Sequence, residues 1–388
     1  MTDIVSDSVS GDRLNRLLKF LAMDEANLAL LADAADAAFT ARQTGLAAEL
    51  LDRYAALTSL PPELRNLAAL IALAEERFDD AAGHLGHLRA DGIDNPQVRF
   101  NLAWSLSMIG RHAEAADLLN DEAIAASPRG PTLKVQALHH LGDLDAALSE
   151  GRRLVERYDN DQALLGALAI LAMDADDFAF ARLCAERAAD SPQGLAALGM
   201  LALDEGDANA AIPLFDRALA RQKSNPRAQI GKGLALLTNG KPAAAAEFLE
   251  AGAAHFRNHL GSWIAAGWAY LVADDLERAR AMFERTREID ETFSEGHGGL
   301  AVLAFMTGDL AEAEKRSEIA LRLDRECLGG ALAKIMLLEA QGETAKAARI
   351  RDIALKTPLG ANGKTLLQGL TIMNAKGRNM LSSLRNNH

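Results

Sequence analysis

The string PLGANGKT at 358–365 ends in Gly-Lys-Thr, the triplet that sets a lysine and a hydroxyl beside a nucleotide's phosphates in a phosphate-cradling loop. Such a loop needs another glycine five residues before that of the triplet, and Pro358 stands there. No strand pattern precedes it, so no nucleotide site is expected. His84 and His87 lie three apart and His139 and His140 are adjacent, spacings at which imidazoles can share a metal. Neither pair has a third ligand at a recognisable distance, and packing between helices is the expected role. Cys184 and Cys327 are far apart, have no partner motif, and fit a reducing compartment. No Ser-His-Asp or Cys-His set can be assembled. The residues predict no enzyme, no cofactor and no metal.

Composition turns attention to the scaffold. Apolar residues make up 49% of the chain but aromatic residues only 5%, with Ala and Leu supplying the bulk. Alanine at that density suits helices packed at close range and suits a sheet poorly. Net charge is −13, which opposes a polyanion unless a local basic patch offsets it, so no nucleic-acid partner is expected. The last acidic residue is Asp352. Lys356, Lys364, Lys376, Arg378 and Arg385 follow it, leaving the rest of the chain at −18 against a tail of +5. Residues 1–10, MTDIVSDSVS, contain no apolar run, and no stretch is long enough for a transmembrane segment. The expectation is a soluble cytoplasmic protein.

The dominant signal is a repeat. Ala47, Ala81, Ala115, Ala147, Ala181, Ala211, Ala245, Ala279, Ala313 and Ala347 form a column spaced by 34 residues, with single steps of 32 and 30. Twelve residues before each stands a second column: Ala35, Ala69, Ala103, Val135, Ala169, Gly199, Gly233, Gly267, Ala301 and Ile335. Small side chains in both columns let two helices approach, with Leu198, Phe215, Leu249, Phe283 and Leu300 filling the layer between. Gly110, Gly142, Gly206, Gly240, Gly308 and Gly342 mark the turn inside each hairpin. Asp143, Asp207 and Asp309 follow three of these glycines as candidate helix caps. Pro61, Pro96, Pro128, Pro192 and Pro226 suit the first turn of the next helix.

These segments resemble the tetratricopeptide repeat (TPR) family over about residues 28–361. The departures are Val135 and Ile335 in the small column, and Asp176 and Asp274 at the turn glycine. The resemblance implies an all-α, right-handed superhelical solenoid of about ten stacked helix-turn-helix hairpins. It implies an N-terminal segment 1–27 whose residues 11–23 form an amphipathic capping helix, and a basic amphipathic helix or tail over 362–388. Leu366, Leu370, Met373, Met380 and Leu384 form that tail's stripe, and it could cap the array or lie in a groove. The 32- and 30-residue steps imply an altered twist near 127–162 and 185–195.

In this family the first helix of each hairpin lines the concave wall. Carrying the family's inward positions over nominates Asn101, Trp104, Gln136, Ile170, Met200, Arg227, Leu234, Ile264, Trp268, Val302, Phe305 and Met336 as partner-binding residues. Past residue 160 these positions hold almost no hydrogen-bonding group, and Gly and Ala form the floor between them. The adjacent Lys-Asn-Arg set with which some members clamp a carboxylate is missing, although Asn101 and Arg227 occupy inner positions. The implied function is a scaffold or adaptor that holds a partner peptide, helix or surface in an apolar groove. A self-assembling homo-oligomer with its tail in the groove, and a sensor of small apolar ligands, are the alternatives.

Overall fold

A computed structural model describes residues 2–256, 258–356, 358–359 and 364–365. The chain folds as two compact units, the first ending at Asp176 and the second beginning at Asp177. In the first unit α1 (Thr2–Leu21) precedes the hairpins α2 (Leu28–Thr40) with α3 (Thr44–Leu57) and α4 (Pro62–Ala74) with α5 (Phe78–Ala90). Then come α6 (Pro96–Met108) with α7 (His112–Leu118) and α8 (Asp121–Ala125), α9 (Gly130–His140) with α10 (Leu144–Arg157), and α11 (Gln162–Asp174). The second unit opens with α12 (Phe178–Arg187). It continues with α13 (Pro192–Asp204) and α14 (Ala208–Arg221), α15 (Pro226–Thr238) and α16 (Pro242–Phe256), and α17 (Leu260–Val272) and α18 (Leu276–Ile289). It ends with α19 (Ser294–Met306) and α20 (Leu310–Leu323), and α21 (Leu328–Ala340) and α22 (Thr344–Lys356). The fold is an all-α stack of helix-turn-helix repeats.

Helices of 13 or 14 residues such as α17 and α18 are marginal alone in water and depend on packing. The alanine column supplies the close contact: all ten alanines have 0% exposure. In the second column Ala35, Ala69, Ala103, Ala169 and Ala301 are equally buried, and Val135 and Ile335 stay interior at 1% and 8%. Leu14 and Leu21 of α1 are 2% exposed, and Leu17 and Leu18 pack on the core of the first hairpins.

Every turn between paired helices contains one left-handed residue. Gly110, Gly142, Gly206, Gly240, Gly308 and Gly342 take the role, and Arg42, Glu76, Asp176 and Asp274 adopt it at φ between 56° and 63°. Side chains of Asp143, Asp207 and Asp309 accept from backbone N–H groups three residues on and cap α10, α14 and α20. Asp177 and Asp275 do the same for α12 and α18. Pro96, Pro192 and Pro226 open their helices, whereas Pro61 is the cap residue before α4. Pro128 lies outside α9, whose first turn takes Pro131 instead.

The short steps have a local cause. The 32-residue step coincides with α9, which is 11 residues long where α6 and α11 have 13; the second helix before it breaks after Leu118 and restarts at Asp121, where the Asn120 side chain caps α8. The later 30-residue step coincides with α12, which is only 10 residues long.

Pro358 stops α22, because its ring removes a helix donor. Pro358–Leu359 then pairs antiparallel with Lys364–Thr365, Pro358 opposite Thr365 and Leu359 opposite Lys364. Lys364 and Thr365 are therefore strand residues and not the start of a helix; the remainder of the expected C-terminal helix, 366–388, lies outside the described residues.

Candidate functional site

The nominated residues fall into four groups in the structure. Leu234 on α15, Ile264 and Trp268 on α17, and Met336 on α21 pack against one core cluster of the second unit, yet all four remain half-buried. Trp268 stands edge-on to Phe283, with ring centroids 5.5 Å apart and planes at 69°. Next to this set Leu332 is 38% exposed and Met306 36%. These first helices thus present large apolar side chains that touch the core on one side and solvent on the other.

Met200 and Phe305 are half-buried in separate clusters of the same unit, Met200 beside Leu195 and Ala196, and Phe305 beside Ala304 and Leu337. Arg227 is half-buried in the first turn of α15.

Two nominated residues are interior. Val302 is 2% exposed and belongs to the core cluster itself, so it supports the face from beneath and presents no surface. Asn101 is 6% exposed; its Oδ1 accepts from Gln97 Nε2 at 3.0 Å and its backbone carbonyl accepts from Ser105 Oγ at 2.9 Å. Those bonds use it internally.

In the first unit Trp104 is half-buried, sits 6.1 Å from Phe78 and is overlaid by the Arg129 guanidinium at 5.2 Å. Gln136 is exposed and Ile170 half-buried. The three stand on separate helices, α6, α9 and α11.

The expected floor of glycines is a different feature. A methyl group on Gly231 would stand 2.3 Å from Phe215 Cζ, one on Gly299 2.6 Å from Phe283 Cδ1, and one on Gly298 2.6 Å from the Gly330 nitrogen. These glycines are joints between consecutive repeats, already occupied by neighbouring rings or backbone. The open apolar surface is narrower than the sequence implied, and consists of the larger side chains alone.

Sequence spacing also missed a histidine. His112 at the start of α7 stacks on His140 at the end of α9 with centroids 4.5 Å apart, and His139 Nε2 lies 2.9 Å from Asp174 Oδ2. The signal was the hairpin register, which sets the start of one second helix beside the end of the following first helix. Burial pushes the His140 pKa below its usual value, and His112 and His139 lower it further. Among the described residues no group of three or more His, Cys, Asp and Glu is arranged to hold a metal ion, and no helix is long and apolar enough to cross a membrane. Two surface concavities of about 390 and 330 Å³ are lined by Asp143, Asp145, Asp174 and Asp176 around the start of α10 and the end of α11, and by Glu284, Arg287, Glu288 and Glu291. Neither contains a nominated residue.

Stacked helical hairpins with one small residue per helix and a left-handed turn residue between them define an α-helical repeat protein. One family model described as tetratricopeptide repeat matches residues 66–131 and 196–257, and a second such model matches 236–303. Residues 66–131 and 196–303 are thus tetratricopeptide repeats, and the fold is the general interaction scaffold of that family.

No curated protein sequence matches the chain. Among solved structures, an IFIT1 monomeric mutant with Gppp-AAAA is similar over 89% of this chain and 94% of its own, at 12% identity and a TM-score of 0.51. The human IFIT1 dimer with PPP-AAAA is similar over the same shares, at 14% identity and a TM-score of 0.50. A crystal structure of MamA matches 41% of this chain and 92% of its own, at 17% identity and a TM-score of 0.34. Identities this low speak to fold alone.

Proposed function

We propose that the chain is a cytoplasmic protein–protein interaction scaffold, and that the first-helix face of its second unit holds an apolar helix or extended segment of a partner protein. The supporting observation is the set Leu234, Ile264, Trp268 and Met336, joined to one core cluster but only half-covered, with Leu332 and Met306 more open beside them. Single exposed apolar residues are ordinary, whereas adjacent large ones on repeated helices mark an interaction surface. Methionine adapts to an irregular partner, and tryptophan gives large contact area at low entropy cost. The nucleotide ligands of the IFIT1 structures are not carried over. A net charge of −13 opposes a polyanion, and Arg227 is the one guanidinium among the nominated residues.

The test is partner capture with charge placed on the face. Leu332→Asp and Leu234→Asp should each abolish capture of proteins retained by the wild type, whereas Leu183→Asp, on the second-helix side at 52% exposure, should not. Equal retention by all three variants would sink the proposal.

A further inference from the structure

We propose that His112 and His140 form a proton-operated joint in the first unit: their uncharged rings hold α7 against α9, and protonation of both as pH falls parts the two helices. The bond between His139 and Asp174 keeps α9 on α11 throughout. The device lies wholly within the first unit and does not depend on the interaction face of the second.

Hairpin register creates the cluster. His112 opens α7 and His140 closes α9, so the start of one second helix meets the end of the following first helix. The two rings stand 4.5 Å apart with planes 20° from parallel, and the His139 ring lies 6.1 Å from that of His140 at 19°. Stacked neutral rings at such spacings attract. Two imidazolium ions there repel, and their separation is well inside the Debye length of about 8 Å at physiological salt. His112 and His139 are half-buried and His140 is exposed, so protons reach the cluster from solvent.

The neighbouring charges are engaged elsewhere. On α7, Arg111 and Glu114 bond one another at 2.7 and 2.6 Å, and Asp117 acts with Glu150 of α10 on Lys134. Asp121 and Glu122 of α8 pair with Arg153 and Arg99, and Asp143 caps α10. Asp145 and Asp176 line the concavity beside the turn, and Asp174 lies 2.9 Å from His139 Nε2. From α6 comes the Ser107 hydroxyl, 3.5 Å from His112 Nδ1. Burial, then the charges of His112 and His139, push the His140 pKa down. The stacked form therefore binds fewer protons than the parted one. Its contribution is complete above pH 6.5 and declines as pH falls toward the lowered value. His139 responds in the opposite sense, since a proton there makes its bond to Asp174 charge-assisted and stronger.

The backbone supplies the hinge. α7 has 7 residues where α5 and α10 have 13 and 14, so a shorter seam holds it to α9. Lys134 Nζ donates to the Ala116 carbonyl at 2.7 Å and pins the far end of α7, just before the break at Leu119–Asn120. With that end held, loss of the stack swings the start of α7 outward.

Paired spin labels in the full-length chain test the joint. Ala113→Cys with Gln136→Cys spans α7 and α9, and Gln136→Cys with Ala163→Cys spans α9 and α11; all three positions are exposed, whereas native Cys184 and Cys327 are buried. Between about pH 7.5 and about pH 5 the first distance should lengthen reversibly, with helical content unchanged, and the second should stay constant. His140→Phe keeps an aromatic ring that does not titrate and attracts a charged His112, so it should hold the first distance at its neutral value throughout. His112→Lys with His140→Lys should lengthen that distance already at neutral pH. His297→Gln, in the second unit, should leave the pH response intact. A wild-type distance that ignores pH, a response that persists in His140→Phe, or equal lengthening in both pairs would overturn the joint. Should the double lysine variant lose helix, the comparison of wild type with His140→Phe still decides.

Discussion

Phe283 occupies the space that a side chain at Gly267 would need, since a methyl group there would lie 2.4 Å from the ring's Cε1. The same ring blocks Gly299 on the next first helix at 2.6 Å, so one aromatic residue of α18 is wedged between α17 and α19. Phe215 repeats the arrangement between Gly199 and Gly231. Gly267→Ala should therefore destabilise the fold by about 1–3 kcal/mol through overpacking, although alanine is the better helix former by about 1 kcal/mol. Ala279→Leu, at a position of 0% exposure, should cost a similar amount, about 1–3 kcal/mol. Thermal melts decide the matter, and a rise in Tm for Gly267→Ala would show that propensity outweighs the wedge.

The turn column gives a prediction of opposite signs. Gly206 and Glu76 both adopt positive φ, 78° and 57°. The left-handed region costs a residue with a Cβ roughly 1–2 kcal/mol, offset in part by the chain entropy of glycine. Glu76→Gly should gain about 0.5–1 kcal/mol and Gly206→Ala should lose about 1 kcal/mol. Chemical denaturation midpoints with unchanged slopes are the readout, and equal signs for the two variants would contradict the assignment.

Much of this architecture is visible in the sequence because the repeat imposes one steric demand ten times. A single alanine at position 279 says little, but ten in register leave no other arrangement that buries them all. Arg42 and Glu76 could have been placed in the left-handed column by counting 34 residues at a time from Gly110, although neither residue type advertises it. What was not legible depended on three-dimensional neighbours. Gly231, Gly298 and Gly299 look like an empty floor until the rings and backbone that fill them are located. Val302 has the same spacing as Trp268, yet it lies beneath the surface where the larger residue projects. His112 joins His140 only through the hairpin register, and the break at Leu119–Asn120 follows from Asn120 capping a new helix within what spacing alone reads as one element.

Glu295 ties consecutive first helices together. Its two carboxylate oxygens accept the N–H groups of Leu328 and Gly329 at 2.6 and 3.1 Å, at the open N-terminus of α21. Charge-assisted bonds to otherwise unpaired helix donors contribute more than neutral ones. Glu295→Ala should cost about 1–3 kcal/mol, and Glu295→Gln should recover part of it. Hydrogen exchange would localise the effect: the Leu328 and Gly329 amides should lose protection first. Unaltered exchange there would refute the capping role.

Stability should fall on acidification for an identifiable reason. His297 is 5% exposed; its Nε2 lies 3.0 Å from the Glu291 carbonyl and its Nδ1 3.4 Å from Arg316 Nη1, an arrangement that suits the neutral Nε2–H tautomer. Burial pushes its pKa below the usual 6.5, with the Arg287 and Arg316 charges adding to the effect against the Glu291 carbonyl. His84 and His140 are lowered as well, chiefly by burial. A histidine held neutral in the fold binds fewer protons than the unfolded chain below pH 6.5, so its contribution is complete above that value and declines as pH falls toward the folded pKa. His297→Gln should flatten the decline of Tm between about pH 7 and 5. A variant curve parallel to that of the wild type would place the acid sensitivity elsewhere.

Trp268 gives the sharpest test of the proposed interaction face. Its ring is half-buried, edge-on to Phe283 and in contact with the core cluster, so part of its area stabilises the fold and part is offered outward. Truncating a fully buried tryptophan costs about 3–5 kcal/mol of stability, and a half-buried one should cost less, about 2 kcal/mol. An interface anchor loses about 2 kcal/mol or more of binding free energy on truncation to alanine, close to a thirtyfold weakening of partner affinity. Trp268→Ala should show both losses, and measuring them on one preparation separates the causes. Binding is compared well below the variant's Tm, where circular dichroism shows full helical content, so that weakened affinity cannot come from unfolding. Trp268→Phe should restore most of the stability through its contact with Phe283 but only part of the affinity, because the outward area is smaller. A folded Trp268→Ala protein that binds its partner as the wild type does would move the interaction away from this face.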